Sequence, residues 1–541
     1  MQQISTTPIT GQQAGTSGLR RKTRDWMVPH FLENYVQSTL NALGDIKGKT
    51  FVLGGDGRFF NTDAIQIILR ILAANGAAKA IVGQGGLLST PAASHLIRLH
   101  NAQGGFILSA SHNPGGIDAD FGLKFNMANG GPATQTLSDA IYAQTQTITT
   151  YCLQNGPDIA LNTVGTAQCG TMQVQIVDPV LDYAKLMESL FDFNAIKSLF
   201  QSGFRMCFDA MHAVTGPYAT TILEDILGAR AGTVINGTPL PDFGGGHPDP
   251  NPVWAKDLMA VMTGPDAPDF GAASDGDGDR NMIVGRGAYV TPSDSLAVLA
   301  AHATCAPAYR DGLSGVARSM PTSRAVDRVA DALGLPVYET PTGWKFFGNL
   351  LDAGRVSICG EESAGTGSDH VREKDGLWAV LLWLNILADK QVPVADLMAQ
   401  HWQTYGRNYY SRHDYEGIDA DIATGIMDHL QTRLPDLTGH ALGGMIVAQA
   451  DIFAYDDPVD QTRATNQGVR IMMQCGARIV FRLSGTGTQG ATLRIYLEAL
   501  QTDPALLAMD AQTALAQVIT AARDISQLQS RLGRVTPDVV T

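Results

Sequence analysis

Five stretches between residues 50 and 111 decide the fold class of this chain: TFVLGGD (50–56), DAIQIILRILAANG (63–76), AIVGQ (80–84), PAASHLIRLH (91–100) and GGFILSAS (104–111). The first, third and fifth are short apolar runs that are typical of buried strands. The second and fourth have the apolar spacing of amphipathic helices. A chain that alternates strands and helices in this way forms a parallel sheet covered by helices.

The same alternation returns twice further along the chain. Residues 204–279 run from FRMCFDAMH to DFGAASDGDGD, and residues 315–365 run from GVARSMPTS to VSICGEESAG. In all three segments a strand leads into a small, polar, glycine-rich loop. We therefore predict an α/β protein with three related mixed α/β domains, at residues 1–182, 183–307 and 308–405.

The last segment, residues 406–541, has a different pattern. Residues 417–434 predict a helix, and residues 504–532 predict one long helix. Between them, RIVFRLSG (478–485) and ATLRIYLEAL (491–500) predict two strands joined by a short glycine loop. Strands joined so closely are antiparallel, so this segment is predicted to be a C-terminal α+β domain.

Charge and composition exclude several classes of function. The 541 residues include 38 Lys and Arg against 52 Asp and Glu, a net charge of −14, which disfavours nucleic acid and acidic membranes as partners. The six cysteines have no paired spacing, which indicates reduced thiols. Because the chain has neither a long apolar run nor signal-peptide features, we expect a soluble cytoplasmic protein, either a monomer or a homodimer. Its first twenty residues are expected to form a loosely held arm.

The loop DGDGDR carries three carboxylates, on Asp275, Asp277 and Asp279, separated by glycines. Carboxylates so close together repel one another unless a cation lies between them, and oxygen ligands favour Mg²⁺ over softer metals. An EF-hand is excluded because Arg280 and Arg286 occupy the positions of its glycine and its bidentate glutamate. An acidic surface turn is the alternative.

Ser111 lies in SASHNPGG, next to His112 and upstream of Lys124. A serine hydroxyl needs help from a base or a metal to act as a nucleophile, and these neighbours together with the acidic loop could supply it. The alternative is a serine that serves only the turn.

Two further loops offer groups that could bind a phosphorylated sugar. Glu361 and Ser363 follow a strand. The paired carboxylates of Glu361 and Glu362 could bind a second metal or the vicinal hydroxyls of a sugar, although a helix N-cap is an alternative. In RLSGTGTQG and the strand after it, arginines, hydroxyls and glycines fit a phosphate dianion, whereas an exposed hairpin is the alternative. The G-x-G-x-x-G pattern there precedes a strand, so a dinucleotide site is rejected. Together the four loops predict phosphoryl transfer on a phosphorylated polyol.

The motifs GTSGLR, SASHNPGG, DGDGDRNM, PTGWKFFGN, GEESAGTGSDHVREKDGLWAV and RLSGTGTQGATLR occur in this order along the chain. In these motifs the chain resembles the α-D-phosphohexomutase superfamily, and within it the phosphoglucomutase branch, from about residue 15 to the C-terminal domain. One departure is Ala364, where the family usually has an aromatic residue. The resemblance implies four domains around a central cleft.

The resemblance also implies a role for each candidate residue. Ser111 would be the phosphoserine, and its phosphate would hold Mg²⁺ together with Asp275, Asp277 and Asp279. His112 and Lys124 would lie beside the phosphoserine, Arg20 and Arg280 would face the transferred phosphoryl group, and Lys374 would be the general acid or base.

The resemblance assigns the remaining residues to substrate binding. Thr342 and Gly343 would belong to a sugar-facing loop, and Glu361 and Ser363 would bind the sugar hydroxyls. The phosphate that is not transferred would be bound by Arg482, Ser484, Thr486 and Arg494.

The activity that the resemblance implies is reversible interconversion of α-D-glucose 1-phosphate and glucose 6-phosphate. It would pass through a phosphoserine enzyme, with glucose 1,6-bisphosphate as intermediate and activator. The alternatives are a mutase for mannose or glucosamine phosphates, a phosphatase, and a catalytically silent scaffold of the same fold.

Overall fold

A computed structural model describes residues 1–15, 17–484 and 490–541 of the chain. The chain divides into two compact units. The first unit contains Met1–Val316 and Gly343–Ala395, and the second contains Ala317–Thr342 and Asp396–Thr541. Each unit has its own buried core.

The strands of the first unit are β1 (Gln2–Ser5), β2 (Leu19–Lys22), β3 (Thr50–Gly55), β4 (Lys79–Leu87), β5 (Gly104–Leu108), β6 (Asp120–Met127), β7 (Thr150–Leu153), β8 (Gly165–Cys169), β9 (Met172–Val177), β10 (Met206–Asp209), β11 (Val234–Ile235), β12 (Phe270–Ser274), β13 (Asn281–Gly285), β14 (Ala288–Val290), β17 (Ile358–Gly360) and β18 (Thr366–Ser368). Its α-helices are α1 (Thr23–Trp26), α2 (Phe31–Leu43), α3 (Asn61–Ala74), α4 (Thr90–Leu99), α5 (Gln135–Thr145), α6 (Leu181–Leu190), α7 (Phe193–Gln201), α8 (Thr215–Ala219), α9 (Lys256–Thr263), α10 (Pro292–His302), α12 (Lys345–Asp352) and α13 (Gly376–Lys390). A π-helix (Thr220–Ile226) continues α8, and short 3-10 turns lie at Phe243–Gly245, Ala303–Cys305 and Pro307–Tyr309.

The first sheet of this unit has the strand order β2-β6-β5-β3-β4-β9-β8. Strands β3, β4, β5 and β9 run parallel, as the alternation of strands and helices predicts. Strand β6 pairs antiparallel with β5, and β8 pairs antiparallel with β9. Apolar residues of β3 and of helices α2 and α3 form its core. The carboxyl end of β5 leads into the Ser111 loop, so the parallel core of the sheet presents that loop.

A second sheet follows the order β11-β10-β12-β13-β14. Strands β10 and β12 are parallel, and β12 then turns back antiparallel into β13. The acidic loop is the connection between β12 and β13. Strands β17 and β18 form an antiparallel hairpin in the same unit, whose tip is residues 361–365.

The strands of the second unit are β15 (Val316–Ser319, apart from its first residue), β16 (Val337–Thr340), β19 (Arg407–Ile418), β20 (Ala441–Leu442), β21 (Met445–Ile452), β22 (Tyr455–Asp456), β23 (Arg463–Ala464), β24 (Val469–Met473), β25 (Arg478–Ser484), β26 (Ala491–Gln501) and β27 (Val539–Val540). Its α-helices are α11 (Ala325–Leu333), α14 (Val394–Tyr405, apart from its first two residues), α15 (Ala420–Arg433), α16 (Ala511–Ala514), α17 (Ala516–Ser526) and α18 (Leu528–Leu532), with 3-10 turns at Leu434–Asp436 and Pro504–Leu506. Strands β25 and β26 are antiparallel neighbours, which confirms the predicted hairpin.

Two expectations from the sequence are wrong. The first twenty residues are not a loose arm, because β1 pairs with β7 and the Gln12 side chain is fully buried and donates to the carbonyl of Phe31, 2.6 Å away. Residues 504–532 are not one helix. Asp510 is the N-cap of α16, where a new helix begins, and Gln527, between α17 and α18, has a left-handed φ of 55°. The pieces still cover the sheet with one apolar face.

Among the described residues, no single helix is long and apolar enough to cross a membrane, and α13 and α14 meet that test only as a pair joined across a bend. None of the six cysteines, all of which lie in the described part of the chain, forms a disulfide.

Candidate active site

Ser111 lies on a tight turn directly after β5. Its φ of 52° is left-handed, which is uncommon for a residue with a side chain. The turn is held by its backbone: the Ser111 N–H donates to Oγ of Ser109 at 2.7 Å, and Arg58 donates to the Ser111 carbonyl at 2.8 Å. Arg58 is itself fixed by a buried ion pair with Asp56. The surrounding structure therefore maintains a strained backbone that aims the Ser111 hydroxyl.

The acidic loop places its three carboxylates around one point. One oxygen each of Asp275, Asp277 and Asp279 lies within 4.8 Å of the others, and all three residues are buried. The second oxygen of Asp275, Oδ1, accepts the backbone N–H groups of Asp279 and Arg280 at 2.9 and 3.0 Å. Oδ1 of Asp277 and Oδ1 of Asp279 are buried without a hydrogen-bond donor in the described structure. Such acceptors are costly unless a ligand satisfies them, so the loop fits a metal cation.

The Ser111 loop and the acidic loop are in direct contact. The Ser111 hydroxyl donates to Oδ2 of Asp275 at 2.8 Å. A Cβ atom at Gly276 would lie 2.4 Å from the Ser111 carbonyl oxygen, so only glycine permits this approach. A cation at the aspartates would therefore also lie beside a phosphate on Ser111.

Two lysines lie against the aspartates. Nζ of Lys124 is 3.0 Å from Oδ2 of Asp277, and Nζ of Lys374 is 2.9 Å from Oδ2 of Asp279. Burial and the negative charges of Asp279 and Asp277 raise the pKa of Asp275 well above its usual value. Burial also opposes ionisation of Asp277, but Lys124 and the Thr90 hydroxyl outweigh it, so the pKa of Asp277 lies below its usual value.

His112 and two arginines also belong to the site. Nδ1 of His112 is 3.4 Å from Oγ of Ser111. Burial and the charges of Arg280 and Arg20 lower the pKa of His112 well below its ordinary value, so its imidazole is neutral at neutral pH. Arg20 lies on β2 beside β6, the strand that carries Lys124, and Arg280 is 3.5 Å from Asp249. Lys124, Lys374 and these two arginines therefore form a local cationic cluster, although the net charge of the chain is −14.

Several residues of the site were not predicted from the sequence. Oγ1 of Thr90 donates to Oδ2 of Asp277 at 2.6 Å. Glu373 accepts a 2.9 Å hydrogen bond from Asn126 and lies 3.9 Å from Nζ of Lys124, and burial raises its pKa. These residues come from distant parts of the chain. The one local indication was the position of Glu373 next to Lys374.

The loop with Glu361 and Ser363 is the tip of the β17–β18 hairpin and not the start of a helix. The N–H of Glu361 donates to the carbonyl of Gly365 at 2.8 Å, which closes the tip. The N–H of Gly343 donates to Oε1 of Glu361 at 2.9 Å, so the predicted sugar-facing loop begins beside the hairpin. Ser363 is partly exposed at the turn.

In the second unit, the predicted phosphate-binding residues lie on β25 and β26. Arg482 is directly opposite Arg494 across this antiparallel pair, and Ser484 is opposite Thr492. Nε of Arg494 is 3.6 Å from Oδ2 of Asp414. Thr486 lies outside the described residues.

Thr342 belongs to the second unit, and its hydroxyl is buried without a hydrogen-bond partner in the described structure. The predicted residues Ser111, His112, Lys124, Arg20, Arg280, Lys374, Glu361, Ser363, Gly343 and the three aspartates all belong to the first unit.

Family models match most of the chain. Three models of phosphoglucomutase/phosphomannomutase α/β/α domains I, II and III match residues 11–151, 182–287 and 292–405. A model of the C-terminal domain of phosphoglucomutase-1 matches residues 407–538. The fold is therefore three related α/β domains followed by a C-terminal domain, as the sequence predicts.

Individual relatives agree with these models. A phosphoglucomutase of Rhizobium radiobacter is 56% identical over 99% of both chains. A probable cytoplasmic phosphoglucomutase of Arabidopsis thaliana is 49% identical over 99% of both chains, and a chloroplastic one is 52% identical over 99% of this chain and 89% of its own. The crystal structure of pp63/parafusin, an exocytosis-sensitive phosphoprotein and phosphoglucomutase from Paramecium, is 46% identical with a TM-score of 0.92, over 100% of this chain and 99% of its own. The chain belongs to the α-D-phosphohexomutase superfamily and, within it, to the phosphoglucomutases.

Proposed function

We propose that Ser111 is the phosphoryl carrier with which this phosphoglucomutase interconverts α-D-glucose 1-phosphate and glucose 6-phosphate. The observation that carries the proposal is the 2.8 Å contact between the Ser111 hydroxyl and Asp275, beside two buried carboxylate oxygens that have no donor. A serine aimed at a cation-binding loop is what phosphoryl transfer requires, because this reaction depends mainly on positioning and on neutralising charge.

The reaction consists of two transfers in opposite directions. In the first, the bond from phosphorus to Oγ of phosphorylated Ser111 breaks and a bond to the 6-oxygen of glucose 1-phosphate forms, which gives glucose 1,6-bisphosphate. The bisphosphate then turns within the site. In the second, Oγ of Ser111 attacks the phosphate on the 1-oxygen, and glucose 6-phosphate leaves. Bisphosphate supplied from outside would reload an unphosphorylated enzyme, so it also acts as an activator.

We propose two proton-transfer groups. Lys374 takes the proton of the 6-hydroxyl as that oxygen attacks, and it returns the proton to the 1-oxygen as that oxygen leaves. At the midpoint of the cycle, where Ser111 carries no phosphoryl group, Lys374 would carry the proton. The raised pKa of Lys374 agrees with this state. Burial lowers the pKa of its ammonium group, but its negatively charged neighbours, chiefly Asp279, together raise it by more. His112, neutral and 3.4 Å from Ser111, is the proton partner of the serine hydroxyl.

Positive charge around Ser111 favours the transfer. Arg20 and Arg280 would face the phosphoryl group during its transfer. Lys124 would balance the charge of Asp277, because its Nζ lies 3.0 Å from Oδ2 of that residue. Charged groups fixed in a buried site stabilise developing charge without having to reorganise.

We propose that the cation is Mg²⁺, held by Asp275, Asp277, Asp279 and the phosphate on Ser111. The donor set supports this choice because it consists only of carboxylate and phosphate oxygens. When bound, Mg²⁺ supplies Lewis-acid neutralisation of the phosphoryl oxygens.

Substrate recognition is assigned to two groups of residues. Glu361 and Ser363, with the Thr342–Gly343 loop, would bind the 3- and 4-hydroxyls of the sugar. The phosphate that is not being transferred would be bound by arginines and hydroxyls of the second unit: Arg482, Ser484, Thr486 and Arg494. Arginine pairs suit a phosphate dianion because their donors bind it in a fixed fork.

For the whole molecule we propose domains at residues 1–182, 183–307, 308–405 and 406–541. The ranges of the four family models support this division. We propose a cytoplasmic monomer or homodimer whose partner is a small sugar phosphate. The relatives include both cytoplasmic and chloroplastic enzymes.

A coupled assay tests the proposal. Purified protein receives glucose 1-phosphate, Mg²⁺ and a trace of glucose 1,6-bisphosphate, and formation of glucose 6-phosphate is followed, with mannose 1-phosphate in parallel. We expect bisphosphate-dependent turnover that is faster for glucose. Radiolabelled bisphosphate should also leave label on a peptide that contains Ser111. Turnover without label on Ser111 would overturn the assignment of the carrier.

A further inference from the structure

The tip of the sugar-facing hairpin contains a strained residue. Ala364, between Ser363 and Gly365, has a left-handed φ of 70° and is only 8% exposed. A residue with a Cβ atom avoids this conformation unless its surroundings hold it there. The backbone of the tip therefore depends on an external contact to keep its shape.

Asn281, the first residue of β13, supplies that contact. Its backbone N–H and its side-chain Nδ2 both donate to the carbonyl oxygen of Ala364, at 3.0 and 3.2 Å. Asn281 is 5% exposed, so water competes little for this carbonyl. The neighbouring residue Arg280 pairs with Gly365 in an isolated antiparallel bridge. The carbonyl of Ala364 thus accepts two hydrogen bonds from Asn281, and Asn281 directly follows Arg280 and the acidic loop.

We propose that Asn281 is a positioning residue for sugar recognition. It holds the strained backbone at Ala364 and thereby sets Ser363 and Glu361 relative to the acidic loop. The inference rests on the proposed role of those two side chains in binding sugar hydroxyls. The contact of Asn281 with the Ala364 carbonyl then helps to align the sugar with the phosphoryl group, in addition to the side chains that bind the sugar directly.

Asn281→Ala tests the proposal, because it removes the side-chain donor and leaves the backbone donor in place. Loss of a hydrogen bond to a buried carbonyl should raise KM for glucose 1-phosphate about tenfold. The turnover number should change by less than about twofold, because the lost interaction binds the ground state and the transition state alike. Asn385→Ala is the matched control: Asn385 is a buried asparagine in α13 that donates to the carbonyl of Asp192 at 3.0 Å. The control should lower stability without raising KM.

A rescue separates positioning from general structural damage. Glycine adopts positive φ without strain, so the tip of the double variant Asn281→Ala/Ala364→Gly should need the side-chain donor less. Its KM should return most of the way to that of the parent enzyme. Ala364→Val is a second variant, in which both donors remain but a β-branched residue must take positive φ. It should raise KM in the same direction, and it carries the test if Asn281→Ala does not fold.

Two comparisons distinguish failure of this inference from failure of the proposed function. Ser363→Ala and Glu361→Gln should each raise KM. If neither does, the hydroxyl-binding assignment is wrong and the role of Asn281 falls with it. If they do, but Asn281→Ala leaves KM unchanged, or raises it without rescue by Ala364→Gly, the inference about Asn281 alone is overturned. The Kd for Mg²⁺ measured by calorimetry should be the same in Asn281→Ala and the parent, and a weaker Kd would also overturn it.

Discussion

Ser111 and Asp275 lie 164 positions apart in the chain, yet the hydroxyl of the first donates to the carboxylate of the second at 2.8 Å. The contact joins the loop after β5 to the loop after β12. Around it, lysines and arginines supply the positive charge that a phosphoryl group needs, and a neutral histidine lies beside the serine hydroxyl.

Ser111→Ala should abolish conversion of glucose 1-phosphate to glucose 6-phosphate while leaving the fold intact. The variant removes the oxygen proposed to carry the phosphoryl group, and the turn keeps its backbone hydrogen bonds. The coupled assay and thermal unfolding measure the two effects. Ser189→Ala, on the exposed side of α6, is the control and should behave as the parent does. A Ser111→Ala enzyme that kept the parental rate would disprove the assignment.

Asp277→Asn should raise the Mg²⁺ concentration needed for half-maximal activity. It removes one of three negative charges with little change of shape, and it leaves Lys124 without its 3.0 Å partner. Because a ligand that binds only the folded state stabilises it, Mg²⁺ should also raise the Tm of the parent more than that of the variant. Full activity of the parent in excess chelator would exclude the cation site.

Lys374→Met should lower the turnover number about 100-fold to 10,000-fold, the usual contribution of a positioned acid or base. KM should change much less, because methionine keeps the bulk of the side chain. Lys345→Met, on α12, is the matched control: its ammonium group lies 2.9 Å from Gln135, away from the aspartates. If kcat of Lys374→Met stays within about twofold of the parental value, Lys374 is not the proton-transfer group.

Arg482→Ala should raise KM for both sugar phosphates, because it removes donors from the phosphate that stays bound during transfer. Arg482→Lys should recover only part of the affinity, since an ammonium group cannot form the two parallel bonds of a guanidinium. Arg433→Ala, an exposed position at the end of α15, makes the same change of charge and should have no effect. Equal KM values for Arg482→Ala and Arg433→Ala would contradict the phosphate assignment.

Arg478 and Glu498 form a buried ion pair of 2.8 Å in the second unit, with both side chains 1% exposed. Glu498→Ala leaves the arginine charge buried without this partner and should cost about 3–5 kcal/mol of local unfolding free energy. Hydrogen exchange of β25 amides measures this cost. The double variant Arg478→Met/Glu498→Leu should recover most of it. If Glu498→Ala alone has no effect on exchange, the pair does not stabilise the unit.

Acid should destabilise the second unit through the same network. The pKa values of Glu339 and Glu498 lie below the usual value. Burial alone would raise them, but the positive charges of nearby arginines have the larger effect. The folded unit therefore binds fewer protons than the unfolded chain, so this contribution is fully present above the unfolded pKa of about 4.3 and is lost as pH falls below it. Glu339→Gln should flatten the pH dependence of β25 exchange in this range. An unchanged profile would refute the assignment.

Sequence patterns predicted most of the elements that position the site. The alternation in residues 50–111 predicted the parallel strands β3, β4 and β5, because buried strands and amphipathic helices each leave a periodic apolar pattern. The pattern failed in residues 504–532, where the apolar face continues but Asp510 and Gln527 interrupt the backbone. It also failed in the first twenty residues, because backbone pairing of β1 with β7 does not require apolar side chains.

The sequence by itself determined which loops of this protein carry a hydroxyl, three carboxylates, and the groups proposed to bind the sugar and the phosphate. Such loops are short, and each can be read from its own residues. Only the tertiary structure decided which groups meet, such as Thr90 with Asp277, Asn126 with Glu373 and Asn281 with Ala364. Contacts between distant segments depend on how strands and helices pack, and a single sequence has no periodicity that records them.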